Sequence, residues 1–192
     1  MKKRIFVIVG HPSKESFSNL IGEEYLRGAK KSGAETRVVH LSDMKFNPSL
    51  DNGYKKKQKL EKDLVDFQNN ILWADHLVFI YPIWWGGEPA KLKGLIERTF
   101  LPGFAFKFEK KSILPKQFLK GRSARVFLIK GGSRLFYFGS LAYPGMIMRR
   151  FVLNFTGIFP VRIKSFYNMN SVSEEKKSRI MSKVFNLGKR TA

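Results

Sequence analysis

The sequence predicts an α/β fold in which a five-stranded parallel sheet has helices on both faces. Short apolar runs rich in β-branched residues alternate with longer amphipathic segments along the chain. The first run, Arg4–Val9, is apolar after its first residue and ends at Gly10, as expected of a strand buried on both faces. Five strands in such an alternation favour a doubly wound sheet with the order 2-1-3-4-5.

The elements after the first strand are predicted from the spacing of apolar residues and from residues typical of helix and strand ends. A helix is predicted over Ser18–Lys31, with Ser18 as its N-cap and Gly33 as its stop. Thr36–Leu41 is the second strand, and a loop rich in Asp, Asn and Pro follows it. Tyr54–Trp73 is predicted to be a helix because apolar residues recur there at helical spacing.

The rest of the chain repeats the alternation. Its predicted elements are the strand Leu77–Tyr81, the helix Lys91–Phe100, the irregular stretch Leu101–Gly121, the strand Ala124–Ile129, the glycine-rich and aromatic loop Lys130–Gly145, the helix Met146–Phe155, a strand within Ile158–Phe166 and the helix Ser173–Leu187. The sequence shows no internal repeat, low-complexity tract or linker. Residues 1–192 are therefore predicted to form one domain.

The chain is strongly basic, with 36 Lys and Arg against 15 Asp and Glu and a net charge of +21. The 64 residues from Lys110 to Ser173 contain 12 Lys and Arg and no acid. With 43% hydrophobic residues the chain can bury a core, which excludes a disordered basic tail. Two interpretations remain open: a solvated lysine-rich surface, or a positive field on one side that attracts anions.

Several classes of partner and compartment are disfavoured. The absence of cysteine excludes disulfides, zinc–thiolate sites and a thiol nucleophile, and no metal site is predicted. No helix-turn-helix, zinc-finger or RNA-recognition pattern occurs, so nucleic acid is not an expected partner. The apolar run before Gly10 is shorter than the hydrophobic region of a secretion signal. We expect a soluble cytoplasmic protein, with peripheral contact to an anionic membrane left open by the charge.

The loop after the first strand contains a predicted anion site. Ligands of open parallel sheets bind at the carboxyl ends of the strands. The hydroxyls of Ser16 and Ser18, with the amides of Phe17 and Ser18, lie where a helix N-terminus can bind phosphate, and His11 can add a donor. The alternative is that the serines only cap the helix. The loop lacks the repeated glycines of a Rossmann fingerprint or a P-loop.

Two further loops end neighbouring strands of the predicted sheet. After the third strand, two adjacent tryptophans, Trp84 and Trp85, cannot both point into one core direction, so one of them is expected to face a ligand or a partner. After the fourth strand, Gly131 and Gly132 permit close backbone approach to a ligand, and Lys130 and Arg134 add positive charge.

A set of motifs occurs together along essentially the whole chain. They are His11 with Ser16–Ser18, Ala74–Asp75, Tyr81–Gly86, Pro89–Gly94, Glu97–Phe100 and Pro102–Phe106. In this combination the sequence resembles the flavodoxin-like NAD(P)H:quinone oxidoreductase family. That family includes quinone reductases, modulator of drug activity B and the ancillary subunits of potassium efflux systems. The resemblance implies a flavodoxin-like fold and a flavin that passes two electrons from NAD(P)H to a quinone.

The resemblance also assigns roles to individual residues. It places His11, Ser16, Phe17 and Ser18 at the flavin phosphate, Pro82, Ile83, Trp84, Trp85 and Gly86 at the isoalloxazine, Lys130, Gly131 and Gly132 in the third flavin loop with Tyr137 in the same pocket, and Phe106 and Phe108 on the substrate side. Tyr137 and Tyr143 are candidate catalytic residues. Lys93 and Arg98 also match, with a helix-surface or interface role favoured for them.

Some positions depart from the family pattern. The family often has Asn where Ser18 stands and Thr where Ile129 and Lys130 stand, and the mammalian enzymes carry a histidine where Tyr143 lies. The long C-terminal region of the mammalian enzymes is missing, which favours FMN over FAD as cofactor. The apolar run Leu135–Phe155 is expected to be a homodimer interface. The alternative is a flavin-binding regulatory subunit that docks on a membrane transporter.

Overall fold

The molecule is built on a five-stranded parallel sheet, seen in a computed structural model that describes residues 2–109, 112, 114–139 and 144–191. The strands are β1 (Arg4–Val9), β2 (Glu35–His40), β3 (His76–Pro82), β4 (Phe106–Lys107), β5 (Lys116–Gln117), β6 (Ser123–Ile129) and β7 (Val161–Phe166). The sheet order is β2-β1-β3-β6-β7, and β4 and β5 form a separate antiparallel pair. With that pair set aside, the predicted order of the five strands is confirmed.

Helices cover both faces of the sheet. They are α1 (Phe17–Lys31), α2 (Lys62–Trp73), α3 (Ala90–Thr99), α4 (Arg134–Gly139) and α5 (Glu174–Lys189), with a π-helix over Met148–Leu153 and a 3₁₀ turn over Asn154–Thr156. One core cluster joins α1 and α5 to the sheet, and the other joins α2, α3 and the π-helix to the opposite face. Among the described residues, no helix is long and apolar enough to cross a bilayer.

The central strand β3 shows why its sequence is a continuous apolar run. All seven of its residues are buried. Val78 and Ile80 belong to the core cluster on the α1 and α5 face, whereas Leu77, Phe79 and Tyr81 belong to the opposite cluster. Because successive side chains of a strand point to opposite faces, a strand covered on both sides has no polar face.

The helices α1 and α5 touch through their backbones at two glycines. A Cβ atom added to Gly28 would lie 2.1 Å from the carbonyl oxygen of Phe185. A Cβ atom added to Gly188 would lie 2.3 Å from the carbonyl oxygen of Tyr25. The hydroxyl of Tyr25 also donates to Thr191 Oγ1 at 2.7 Å. Any larger residue at either glycine would push the two helices apart.

The predicted start of the second long helix is wrong, because α2 begins at Lys62 rather than Tyr54. The Glu61 carboxylate accepts hydrogen bonds from Arg98 Nη2 at 2.8 Å and from the backbone N–H of Asn47 at 3.0 Å. Arg98 Nη2 also donates to the carbonyl of Lys59 at 2.9 Å. These contacts fix the chain just before α2, where Glu61 is extended, with φ −69° and ψ 159°.

Arg98 differs from its predicted role at a helix surface or interface, because its side chain is fully buried. Lys93, on the same helix, is half exposed, as predicted for a helix-surface residue, and it pairs with Glu97. Residues 101–121 contain the β4–β5 pair, and the loop from Lys130 contains α4, so neither stretch is entirely irregular. The predicted helix Met146–Phe155 is helical but is wound as a π-helix and a 3₁₀ turn.

Candidate functional site

Three loops meet at the carboxyl edge of the sheet, after β1, β3 and β6. The rings of His11 and Trp84, from the first and second loops, pack edge to face with centroids 5.4 Å apart. The N–H of Ile83, at the start of the second loop, donates to the carbonyl of Ile129 at the end of β6, at 2.8 Å. The sheet therefore brings together the loops in which the sequence predicts a site.

The first loop ends in the N-terminus of α1. Ser16 is the N-cap, with φ −154°, and its hydroxyl accepts a hydrogen bond from the N–H of Asn19 at 3.3 Å. Residues 17–20 carry no charge, and the first N–H groups of an α-helix have no partner within the helix. Ser16 and Phe17 are partly exposed, whereas Ser18 is buried. The accessible part of the helix end at which the sequence predicts an anion site is therefore Ser16 and Phe17.

His11 lies at the start of the same loop. Its Nδ1 atom accepts a hydrogen bond from the N–H of Ser13 at 3.0 Å. The Asn19 side chain donates to the carbonyl of Lys14, which closes the loop onto the helix. His11 is thus held in one orientation by its own loop and by the Trp84 ring.

The second loop is a tight turn from Trp84 to Gly87. The backbones of these two residues bond each other in both directions, at 2.9 and 3.0 Å. The central residues have φ values of 49° at Trp85 and 81° at Gly86, as in a type I′ turn. Trp85 is fully exposed and Trp84 is half exposed, whereas Pro82 and Ile83 are buried. The two indoles are therefore exposed at the carboxyl edge of the sheet, whereas Ile83 packs in the core.

Open space lies beside this turn. A Cβ atom added to Gly86 or Gly87 would meet no atom of the described residues within 4 Å. The positive φ of Gly86 is a conformation that residues with a side chain rarely adopt. The turn combines exposed indole faces with an unobstructed backbone, which suits a flat heteroaromatic ligand.

The third loop places a buried lysine between two aromatic rings. Lys130 is 4% exposed, and its Nζ atom lies 4.6 Å from the centre of the Tyr137 ring and 4.8 Å from that of Tyr167. Burial lowers the pKa of Lys130, while its interactions with Tyr167 act in the opposite direction. The aromatic faces stabilise the ammonium by cation–π attraction. Burial also raises the pKa of Tyr137.

The segment after β7 fixes the shape of the third loop. The N–H of Met169 donates to the carbonyl of Lys130 at 3.1 Å, and that of Asn168 donates to the carbonyl of Gly132 at 3.1 Å. A Cβ atom added to Gly131 would lie 2.7 Å from Asn170 Nδ2. Gly131 is thus required for close packing. Tyr167 and its neighbours are not among the predicted site residues, because no local sequence pattern there indicates a site.

The two predicted substrate residues lie in an aromatic cluster. Phe106 packs edge to face against Phe108, with centroids 5.6 Å apart, and against Phe155 at 5.0 Å. The three rings line an apolar groove of about 540 Å³, together with Ile147 and Phe151. The lining of that groove includes no residue of the three loops. Tyr143 lies outside the described residues, so its catalytic role stays a prediction.

Comparison with known proteins agrees with this architecture. The family model for the flavodoxin-like fold matches residues 3–189. The chain belongs to this flavodoxin-like family. It is 29% identical over 156 residues to NAD(P)H dehydrogenase (quinone) 1 of Cavia porcellus. The alignment covers 70% of this chain and 56% of the relative. The chain therefore spans little more than half the length of that relative.

Two solved structures show the same fold. NAD(P)H:quinone oxidoreductase from Methanothermobacter marburgensis is 23% identical, with a TM-score of 0.82 and 100% of both chains covered. An FMN-dependent NADH-azoreductase from Bacillus anthracis str. Ames Ancestor, in complex with FMN, is 19% identical, with a TM-score of 0.72 and 100% of both chains covered. At these sequence identities the structural similarity shows a shared flavodoxin-like fold and nothing further.

The chemistry of the residues in the three loops fits a flavin. The N-terminus of α1, with Ser16, supplies hydrogen-bond donors for a phosphate. The turn at Trp84–Gly87 leaves room beside two indoles for a planar ring system. Lys130, with Gly131 and Gly132, lies beyond that turn, since Ile83 is bonded to Ile129. Donors for an anion and aromatic faces for stacking thus occur on neighbouring loops.

Proposed function

We propose that this protein is a flavin-dependent NAD(P)H:acceptor oxidoreductase. FMN, if bound, would supply the redox chemistry, a ping-pong transfer of two electrons through its N5 atom from NAD(P)H to a quinone or a similar acceptor. The observation that carries the proposal is the meeting of the three loops, through the His11–Trp84 contact and the Ile83–Ile129 hydrogen bond. The quinone and azo reductase relatives support the reaction class.

The residues of the three loops have distinct tasks in this proposal. Ser16 and the amides at the start of α1 bind the flavin phosphate. Trp84 and Trp85 stack beside the ring system and exclude water from it. Lys130 or the amides of Gly131 and Gly132 stabilise negative charge at the N1–O2 end of the reduced ring.

We also propose that the protein is a homodimer. The groove lined by Phe106, Phe108 and Phe155 is apolar, and Ile147 and Phe151 are large exposed residues on its rim. Exposed apolar surface of this kind marks an interaction site. A second copy seated on this groove would place Phe106 and Phe108 at the interface and bring them to the substrate side of the partner's flavin.

The test begins with the purified protein. We expect it to be yellow, or to bind FMN when the cofactor is added, and to oxidise NADPH when menadione is present. Protein that binds neither FMN nor FAD would contradict both the activity and the flavin site. Flavin-loaded protein without turnover would instead favour a regulatory subunit that docks on a membrane transporter.

The identity of the cofactor is tested by comparing three flavins. Riboflavin lacks the phosphate that the N-terminus of α1 is proposed to bind, so we expect it to bind more weakly than FMN. FAD should bind no more tightly than FMN if the phosphate and ring contacts account for the affinity. Equal affinity for riboflavin and FMN would contradict the phosphate site and leave the stacking site untouched.

A further inference from the structure

A second cavity lies beside the candidate flavin site, at the carboxyl ends of β6 and β7. Its volume is about 400 Å³, within the range of small-molecule pockets. Three cationic side chains line it, those of Lys130, Arg134 and Arg149. Its lining residues all lie between Lys130 and Tyr167, so none comes from the first or second loop.

No acidic residue occurs among the described residues that line this cavity. Its lining lies wholly within residues 110–173, which contain no Asp or Glu. In the part of the chain that the structure describes, the groups that act on the Lys130 ammonium are the phenol of Tyr167 and two aromatic faces. A buried cation without a carboxylate partner is costly. An anion in the cavity would offset that cost.

The walls of the cavity are aromatic as well as basic. Tyr137, Phe138 and Tyr167 all line it, and the Tyr137 and Tyr167 rings lie 6.0 Å apart. Aromatic walls favour a flat ligand over a compact inorganic ion. A cavity lined by both cationic and aromatic side chains therefore suits a planar ligand that carries an anionic group.

Arg149 and Arg150 are neighbours on the π-helix but differ in position. Arg149 is partly buried and lines the cavity, whereas Arg150 is exposed and is not among the lining residues. The two side chains carry the same charge on the same helix. They provide a matched pair in which only one member can touch a ligand in the cavity.

We propose that this cavity binds the anionic group of a flat aromatic electron acceptor, a carboxylate or sulfonate, through Arg134 and Arg149, beside the ammonium of Lys130. The proposal rests on the oxidoreductase function proposed above and names the class of acceptor. The same chemistry would recognise the ribose phosphate that distinguishes NADPH from NADH. The experiment therefore separates these two sources of the anion.

Binding is measured by calorimetry on flavin-loaded protein, with an anthraquinone sulfonate and the neutral hydroxymethyl anthraquinone as ligands. Arg149→Gln should weaken binding of the sulfonate by about tenfold, because a charge-assisted hydrogen bond is lost. Binding of the neutral compound should not change, and Arg150→Gln should change neither. Thermal unfolding of both variants controls for folding.

The second arm compares the KM values of NADPH and NADH with menadione as acceptor. If Arg149→Gln raises only the KM of NADPH and leaves both anthraquinones unaffected, the anion site stands and its source is the nucleotide phosphate. If Arg149→Gln and Arg150→Gln affect every ligand equally, the proposal is overturned. Selective binding of the sulfonate can also be measured on protein that binds no flavin. Failure of the cavity proposal can therefore be distinguished from failure of the proposed oxidoreductase function.

Discussion

The Nζ atom of Lys130 lies 4.6 Å from the centre of the Tyr137 ring. Lys130 is the first residue after β6, and Tyr137 belongs to α4, so this contact joins the third loop to the helix that follows it. A buried cation next to the proposed flavin ring will favour any negative charge that develops there.

The first prediction concerns this lysine. Replacing Lys130 with Thr should lower the reduction potential of the bound flavin by about 30 mV, which is about 1.4 kcal/mol for two electrons. Reductive titration with a reference dye measures the shift. Lys57→Thr, which removes the same charge from an exposed loop, should leave the potential unchanged. An unchanged potential in Lys130→Thr would leave the amides of Gly131 and Gly132 as the stabilising donors.

The second prediction concerns the exposed indole of Trp85. Trp85→Ala should weaken FMN binding by about tenfold, since a stacked aromatic face is lost. Trp85→Phe keeps an aromatic face and should retain most of the affinity. Quenching of protein fluorescence on addition of FMN gives the dissociation constant. Similar affinities for the alanine and phenylalanine variants would show that the Trp85 ring does not contact the flavin.

The third prediction concerns pH and His76. This side chain is buried, with Nδ1 2.8 Å from Ser123 Oγ. Burial, with the charges of Arg125, Lys3 and Arg162, lowers the pKa of His76 from 6.5 to about 3. Between these values the unfolded chain binds a proton that the folded chain does not. Stability should therefore fall as pH decreases through this window, by up to about 1.4 kcal/mol per pH unit.

The measurement is urea unfolding over this pH range for the natural protein and for His76→Gln. Glutamine does not titrate, so the variant should lose the part of the slope that His76 contributes. The carboxylates act equally in both proteins, and the difference between the two curves isolates the histidine. Parallel curves would mean that His76 is protonated in the folded protein at mildly acidic pH.

The fourth prediction concerns Arg98, whose buried guanidinium binds Glu61 and the carbonyls of Asn47 and Lys59. Arg98→Met should destabilise the fold by about 3 kcal/mol, because the carbonyls of Asn47 and Lys59 lose their donor and Glu61 keeps only the N–H of Asn47. Lys93→Met, on the exposed side of the same helix, should have little effect. Denaturant unfolding gives both values. Equal stability of the two variants would contradict a structural role for Arg98.

Much of the fold follows from local patterns in the sequence. Buried parallel strands require continuous apolar runs, and β1, β3 and β6 show them, so the strand order could be predicted. The start of α2 could not, because it depends on Arg98, which lies 37 residues from Glu61 in the sequence. Helical spacing of apolar residues cannot distinguish a π-helix from an α-helix, so the winding at Met148–Leu153 was also beyond prediction.

The candidate site also contains both residues that could be predicted from the sequence and residues that could not. Loops at the carboxyl ends of adjacent strands must be neighbours, so His11, Trp84 and Lys130 could be grouped from sequence. Tyr167 and Arg149 could not, because they reach Lys130 or its cavity only through the packing of β7 and the π-helix. Their positions depend on tertiary contacts rather than on local motifs.

The glycine contact between α1 and α5 constrains the order of assembly during synthesis. Gly28 packs on the backbone at Phe185, near the end of the last helix. The helix whose N-terminus is proposed to bind the phosphate therefore packs against a segment that is synthesised much later than itself. Until α5 has been made, α1 lacks this part of its packing surface.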